Sequence, residues 1–255
     1  MSDLTGRTAL VTGASRGIGR ATAERLARDG ALVAVHYGFQ EAAAKEVVAG
    51  IAAAGGRAFP VHAEMGVPGD VDRLVENLDA GLREHGAGPE LDILVNNAGI
   101  VVAADVESVT PDDFDRLYAI NVKAPFFLVQ RLLPRLRDGG RIINIGTVAT
   151  RTARPEIIAY SMTKGAVDVF TRTLAQPLGA RGITVNAVSP GAVDTDMNAG
   201  WLRGNAEAEA QTAGGTALGR VGRPEDIADA VAFLASDDAH WVTAGLVEAS
   251  GGLNL

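Results

Sequence analysis

An apolar run, Thr8–Thr12, passes directly into Gly13-Ala14-Ser15-Arg16-Gly17-Ile18-Gly19, and an amphipathic segment then continues to Asp29. No other stretch constrains the fold as tightly. A strand that enters a glycine turn and leaves as a helix opens a parallel sheet, because parallel neighbours need crossover connections. The rest of the chain keeps this rhythm. Strands are predicted over Ala31–Tyr37, Arg57–His62, Asp92–Asn96, Gly140–Gly146, Gly182–Ser189 and Leu246–Ala249. Helices are predicted over Glu41–Ala54, Val71–Glu84, Asp112–Leu136, Ala159–Leu178 and Glu225–Ala235. Such alternation implies an α/β fold, a doubly wound parallel sheet with helices on both faces. The last helix carries Ile227, Val231 and Leu234 as a buried stripe, with Pro224, Glu225 and Asp226 where a helix N-terminus favours proline and acids. Pro177 falls in the last turn of its helix and is predicted to kink it or end it early.

The glycine turn also has a chemistry. Glycines let the backbone approach a pyrophosphate, and the following helix N-terminus presents N–H groups and a positive dipole end. A plain turn is the alternative, but the strand before and the helix after supply the context that phosphate binding requires. The spacing is Gly-x-x-x-Gly-x-Gly rather than Gly-x-Gly-x-x-Gly.

Composition removes other classes of function. With 255 residues and 47% hydrophobic side chains, the chain can bury one large core and is predicted to form a single domain over 1–255. Its net charge is −8 and its basic residues are scattered, which argues against nucleic acid or an anionic membrane as partner. There is no cysteine, so disulfides, thiolate metal sites and cysteine nucleophiles are excluded. The four histidines have no ligand spacing, and no metal site is expected. The first strand starts near Arg7, and neither a leader nor a membrane span is expected; the reading is of a cytoplasmic protein.

Tyr160 and Lys164 stand four residues apart, on one face of a predicted helix. A phenol beside an ammonium is an acid–base device, the positive charge drawing the phenol towards neutral pH. A half-buried aromatic covered by a lysine stem has the same spacing.

Taken in order, Thr12-Gly13-x-x-x-Gly17-x-Gly19, Asn96-Asn97-Ala98-Gly99, Asn121, Tyr160-x-x-x-Lys164 and Pro190-Gly191 resemble the short-chain dehydrogenase/reductase superfamily. More narrowly they resemble its branch of 3-oxoacyl-carrier-protein reductases, over about residues 4 to 253. The resemblance implies a Rossmann fold with a seven-stranded parallel sheet, a nicotinamide cofactor and a homotetramer. It implies that Tyr160 donates a proton to a substrate carbonyl, that Lys164 lowers the Tyr160 pKa and bonds the nicotinamide ribose, and that Asn121 holds a relay water. The serine expected thirteen residues before the tyrosine is Thr147 here. Its hydroxyl can orient a carbonyl, while its methyl stiffens χ1 and adds bulk.

Cofactor contacts carry over to Gly13, Ser15, Arg16, Gly17, Ile18, Gly19, Asn97, Gly99, Pro190, Gly191, Val193 and Thr195, together with Tyr160 and Lys164. Tyr37 stands at the end of strand two, where members that use NAD carry an acid, and Phe39 or Gln40 stands where others carry a base. With no carboxylate to repel a 2′-phosphate and Arg16 to attract one, NADP(H) is favoured over NAD(H). Glu64 replaces the aspartate that holds the adenine amino group. Residues 196–216, with Met197, Trp201 and Leu202, resemble a mobile substrate lid, and Arg151, Arg154 and Ile157 are candidates for the same cleft. The helix after Pro224 and the Ser250-Gly251-Gly252 segment resemble subunit contacts. These residues point to an NADP(H)-dependent ketoreductase acting on a small ketone or secondary alcohol, such as a free or carrier-bound 3-oxoacyl thioester or a polyketide-like ketone. An NAD-dependent alcohol or sugar dehydrogenase is the alternative within the fold. A non-catalytic nucleotide sensor or scaffold is the alternative outside it.

Overall fold

In the computed structural model, which describes residues 3–255, seven parallel strands form one sheet. In chain order the elements are β1 (Thr8–Val11), α1 (Gly17–Arg28), β2 (Leu32–Tyr37), α2 (Glu41–Ala53), β3 (Arg57–His62), α3 (Asp70–Glu84) and β4 (Leu91–Asn96). Then come α4 (Pro111–Tyr118), a π-helical turn (Ala119–Lys123), α5 (Ala124–Leu132), β5 (Leu136–Ile145) and α6 (Ile158–Leu178). The chain closes with β6 (Thr184–Pro190), α7 (Ala206–Gly214), α8 (Pro224–Ala235) and β7 (Leu246–Ala249). The spatial order is β3-β2-β1-β4-β5-β6-β7. Chain direction through the sheet therefore reverses between β1 and β4, and the crevice beyond their carboxyl ends is where such sheets bind ligands.

Continuous burial explains the strand composition. β1, β2, β4 and β6 are buried along their whole length, as expected for strands covered on both faces. One core layer packs Ala23, Leu26, Val47 and Val231 of α1, α2 and α8 against the sheet. The other packs Leu74, Leu78, Leu128 and Leu132 of α3 and α5 on the opposite face. At the start of α8, Asp226 accepts the Arg223 N–H at 2.7 Å, and its carboxyl is held down to about 2, chiefly by Arg220.

Two expectations need correction. The segment predicted as one helix over 112–136 is broken. α4 and α5 are joined by the π turn, and Leu136 already belongs to β5, where it pairs with Leu91. Apolar periodicity is preserved through a π turn, so the sequence pattern does not register the extra residue. Pro177, in turn, does not end α6 early. It is the penultimate residue of the helix, where its missing N–H forfeits one hydrogen bond, and the chain then tightens into a 3₁₀ turn over Gly179–Arg181.

Candidate active site

The loop after β1 is held from two sides. Asn97, just past β4, donates its amide to the carbonyls of Thr12 (2.8 Å) and Gly13 (3.0 Å). The Thr12 hydroxyl accepts the N–H groups of Asn97 and Ala98, both at 2.9 Å. From β2, His36 accepts the Gly13 N–H at Nδ1 (2.9 Å), while Nε2 lies 3.0 Å from the Ala63 carbonyl. Because the Gly13 N–H is a donor, Nδ1 must be bare and Nε2 must carry the proton. Burial pushes the His36 pKa down to about 4, so the ring is neutral in this role. Sequence reading missed His36, since a histidine inside an apolar strand has no ligand spacing.

The glycines are required where the loop turns into α1. Gly13 has φ +63°, and a Cβ on Gly19 would stand 2.3 Å from the Gly13 carbonyl oxygen. No side chain caps the N-terminus of α1 at Arg16, which leaves its first turn presented to a ligand. A groove of about 280 Å³ runs along this terminus, lined by Gly13, Ser15, Arg16, Gly17, Ile18 and Gly19 on one wall. Its far end is formed by His36, Gly38, Phe39, Gln40, Ala63 and Met65. A close-approach loop, an open helix end and an aromatic rim at Phe39, 77% exposed, fit a dinucleotide. Two predicted contacts lie elsewhere. The Tyr37 side chain is buried in the core beneath α2 with its ring 5.2 Å from His62, and Glu64 is half-buried beside the groove, whose wall is made by its neighbours Ala63 and Met65. Period-two alternation explains Tyr37, whose strand neighbour His36 faces the groove while its own ring turns to the other side; Glu64 lies past the end of β3.

The groove continues into a cleft of about 490 Å³, with Ile18, Asn97, Gly99, Thr195 and Met197 shared between them. Pro190, Gly191 and Val193 form the junction at the end of β6. Tyr160, Lys164 and Thr147 line the floor, and Val101, Ala103, Val148, Ile157 and Trp201 give it mostly apolar walls. The Thr147 side chain lies close enough to the Tyr160 hydroxyl to favour its charged form. The Thr147 hydroxyl oxygen accepts the Ala149 N–H at 3.2 Å, so it caps the 3₁₀ turn over Val148–Thr150.

Lys164 is 6% exposed, and its ammonium donates to the Ile145 carbonyl at 2.7 Å, 5.8 Å from the centre of the Tyr160 ring. Burial pushes Tyr160 up to about 12, against a downward pull from the Thr147 hydroxyl. Burial also pushes Lys164 down to about 8, against the attraction of Asp168.

Asn121 sits in the π turn, 2% exposed. Its amide accepts the Ile100 N–H and donates to the Ile100 carbonyl, both at 2.9 Å, and donates to Thr163 at 3.1 Å. A small cavity of about 10 Å³ between Asn121 and Lys164 is at the lower bound for one water.

Other side chains fall differently from expectation. Arg154 and Ile157 line the cleft, with Arg154 paired to Glu156 at 2.5 Å. Arg151 does not line it. Its guanidinium forks onto Glu248 with two 2.7 Å bonds and bonds the carbonyls of Leu253 (2.7 Å) and Asn254 (3.2 Å). Leu253 and Asn254 thereby become cleft residues, a long-range contribution that nothing in the sequence marked. Met197, Asn198 and Trp201 come from the segment after β6, while Leu202 is buried beneath it. Arg16 stands 3.7 Å from Asp196 of that segment. Among the described residues, no helix is long and apolar enough to cross a membrane.

Known proteins share this arrangement. The sequence profile of the family described as enoyl-(acyl carrier protein) reductase matches residues 13–254. The promiscuous reductase LugOII, which catalyses keto-reduction at C1 during lugdunomycin biosynthesis, is 54% identical with a TM-score of 0.94, over 98% of both chains. The angucycline C-6 ketoreductase LanV, solved with bound NADP, is 51% identical with a TM-score of 0.94, over 99% of this chain and 97% of its own. Versicolorin reductase of Emericella nidulans is 41% identical, over 98% of this chain and 96% of its own. With the glycine loop, the Tyr160–Lys164 pair and this similarity along nearly the whole length, the chain belongs to the short-chain dehydrogenase/reductase superfamily, in its 3-oxoacyl-carrier-protein-reductase-like branch, as an oxidoreductase acting between CH–OH and C=O.

Proposed function

We propose that this protein is an NADPH-dependent ketoreductase whose substrate is a fused-ring aromatic polyketide ketone. The observation that carries this reading is the floor of the cleft: Tyr160, Thr147 and Lys164 converge there and open onto apolar walls and onto the nucleotide groove. A cleft of about 490 Å³ walled by Val148, Ile157, Met197 and Trp201 suits a flat apolar body with a few polar substituents. LugOII and LanV, named for reductions of polycyclic ketones, support the same class.

The residues divide the work as follows. NADPH, when bound, supplies the hydride. Gly13–Gly19 and the α1 N-terminus would hold its pyrophosphate, Arg16 would attract its 2′-phosphate, the Val193 backbone would take its carboxamide and the Thr195 hydroxyl a phosphate. Thr147 donates its hydroxyl to the substrate carbonyl oxygen and fixes its direction. Tyr160 then gives that oxygen its proton as negative charge develops there. Its high pKa keeps it in the acid form that reduction needs. Lys164, as an ammonium, offsets the charge left on the Tyr160 oxygen, and a solvent water held by Asn121 in the small cavity beside Lys164 would relay the return proton. Residues 196–216 close over the substrate. The protein is read as a single-domain cytoplasmic homotetramer, and the partner it binds is the free or carrier-bound ketone.

The test is NADPH oxidation against fused-ring aromatic ketones, short 3-oxoacyl thioesters and simple sugars, with Tyr160→Phe as control. Turnover of the aromatic ketones that disappears in the variant supports the reading. Equal inertness of wild type and variant while NADPH still binds would sink it.

A further inference from the structure

One buried ionisable group near the cleft is used by none of these steps. Asp168 lies one turn beyond Lys164 on α6, is 6% exposed, and has one carboxylate oxygen, Oδ1, without a hydrogen-bond partner among the described residues. A buried acid is retained at a cost unless its charge has a use. Its surroundings identify that use. A Cβ placed on Gly146, the residue before Thr147, would stand 3.4 Å from Asp168 Oδ1 and 3.0 Å from Ser189 Oγ. The carboxylate is thus wedged against the backbone that turns from β5 into the Thr147 segment. Thr150, at the end of that turn, donates its one hydroxyl proton to the Thr147 carbonyl at 3.1 Å and lies close enough to the carboxylate to favour its charged form against the burial that opposes it.

The charged groups facing Asp168 are few. On α6 itself they are Lys164 one turn back and Arg172 one turn on. From the β5 turn it faces Gly146 and Thr150, and Ser189 of β6 lies beside the same Gly146; none of them is titratable. Lys164 in turn meets Asp168 as its charged neighbour, the Tyr160 ring, and uncharged groups at Ile145, Gly99 and Asn121. An ammonium drawn out of water this far has one built-in anion on its side.

We infer that Asp168 is a positioning residue for the proton-transfer pair: it holds the charge on Lys164 from below and braces the turn that carries Thr147, without touching the substrate. The inference rests on the ketoreductase reading, in which Lys164 must be an ammonium and Thr147 must point at the carbonyl. Two separate signatures follow. Loss of the charge moves the pH at which Lys164 is neutralised. Loss of the brace lowers turnover at every pH.

The experiment compares kcat/KM against pH for wild type, Asp168→Asn, Thr150→Val and Thr150→Ser, with NADPH and the best ketone, and includes Tyr160→Phe. Asp168→Asn is expected to keep its KM for NADPH within about twofold and to move the alkaline limb of the profile down by roughly one pH unit, in the direction that removal of a nearby opposite charge dictates. Thr150→Val is expected to lower kcat about tenfold with an unshifted profile, a size typical of a displaced reacting group, and Thr150→Ser to restore it. A wild-type profile in Asp168→Asn, or a uniform loss without a shift, overturns the charge role. Wild-type kinetics in Thr150→Val overturns the brace, and this arm stands even if Asp168→Asn fails to fold. Failure of the ketoreductase reading is distinguishable: Tyr160→Phe would then behave like wild type.

Discussion

At the scale of single residues, protonation states decide what the site can do. Tyr160 is held up to about 12 and Lys164 down to about 8, so between pH 5 and 7 the phenol is an acid and the amine a cation. Ketone reduction is therefore expected to be flat with pH on the acid side and to fall as pH rises through about 8, where Lys164 loses its charge. A profile that instead rises above pH 8 would assign the limb to another group. Thr147→Ser is expected to stay within about tenfold of wild type in kcat/KM, and Thr147→Val to lose about 100-fold or more, since only the hydroxyl is used. Burial shifts His36 in the same direction as Lys164. Its pKa in the fold, about 4, lies below the ordinary 6.5, so the unfolded chain takes up the proton first. Its contribution to stability is complete above pH 6.5 and is lost as pH falls towards 4, at up to about 1.4 kcal/mol per pH unit. Asparagine keeps an acceptor in the place of Nδ1 for the Gly13 N–H and does not titrate. Urea denaturation from pH 7 to 4.5 is therefore expected to show a shallower acid loss in His36→Asn than in wild type; equal slopes would remove His36 as the cause.

At the scale of elements, the π turn is the feature with the clearest consequence. It interrupts α4–α5 at Asn121 and aims that amide at both backbone groups of Ile100 and at Thr163 of α6. Asn121→Leu leaves those buried partners unpaired, with an expected cost of about 1–3 kcal/mol in urea denaturation and loss of turnover beyond what the stability change explains. Unchanged stability would mean that Ile100 finds other partners. Much of this scale was legible in the sequence. The seven strands, the glycine loop and α6 with its one-turn Tyr160–Lys164 pair follow from apolar runs, turn residues and helical spacing. The π turn was not, because one inserted residue leaves the apolar stripe intact. Nor was Arg151, whose partners Glu248, Leu253 and Asn254 lie about a hundred residues away and meet it only once β7 is added to the sheet. Tyr37 illustrates the same limit from the other side: its place at the end of β2 was right, but the strand's alternation turns its ring into the core.

At the scale of the molecule, the sheet brings three separate stretches to one crevice: the loop after β1, Asn97 after β4, and Pro190–Thr195 after β6. Nucleotide binding should therefore stabilise the whole sheet rather than a single loop. At 100 times its Kd, NADPH is expected to add about 2.7 kcal/mol to unfolding, and NADH less at the same concentration. Arg16→Ala should bring the two cofactors closer by weakening NADPH alone; equal loss for both would place the 2′-phosphate elsewhere. Asp196, which stands 3.7 Å from Arg16, belongs to the same segment after β6 that lines the cleft with Met197, Asn198 and Trp201.

The central claim is that Tyr160 delivers the proton to a ketone held in the apolar cleft. The most direct measurement is single-turnover oxidation of bound NADPH by a fused-ring aromatic ketone such as β-tetralone, in wild type and in Tyr160→Phe. Removing a general acid of this kind costs about 100- to 10,000-fold, so the wild type should turn over and the variant should be slower by at least that lower figure with NADPH affinity preserved. Equal rates in the two proteins would contradict the account.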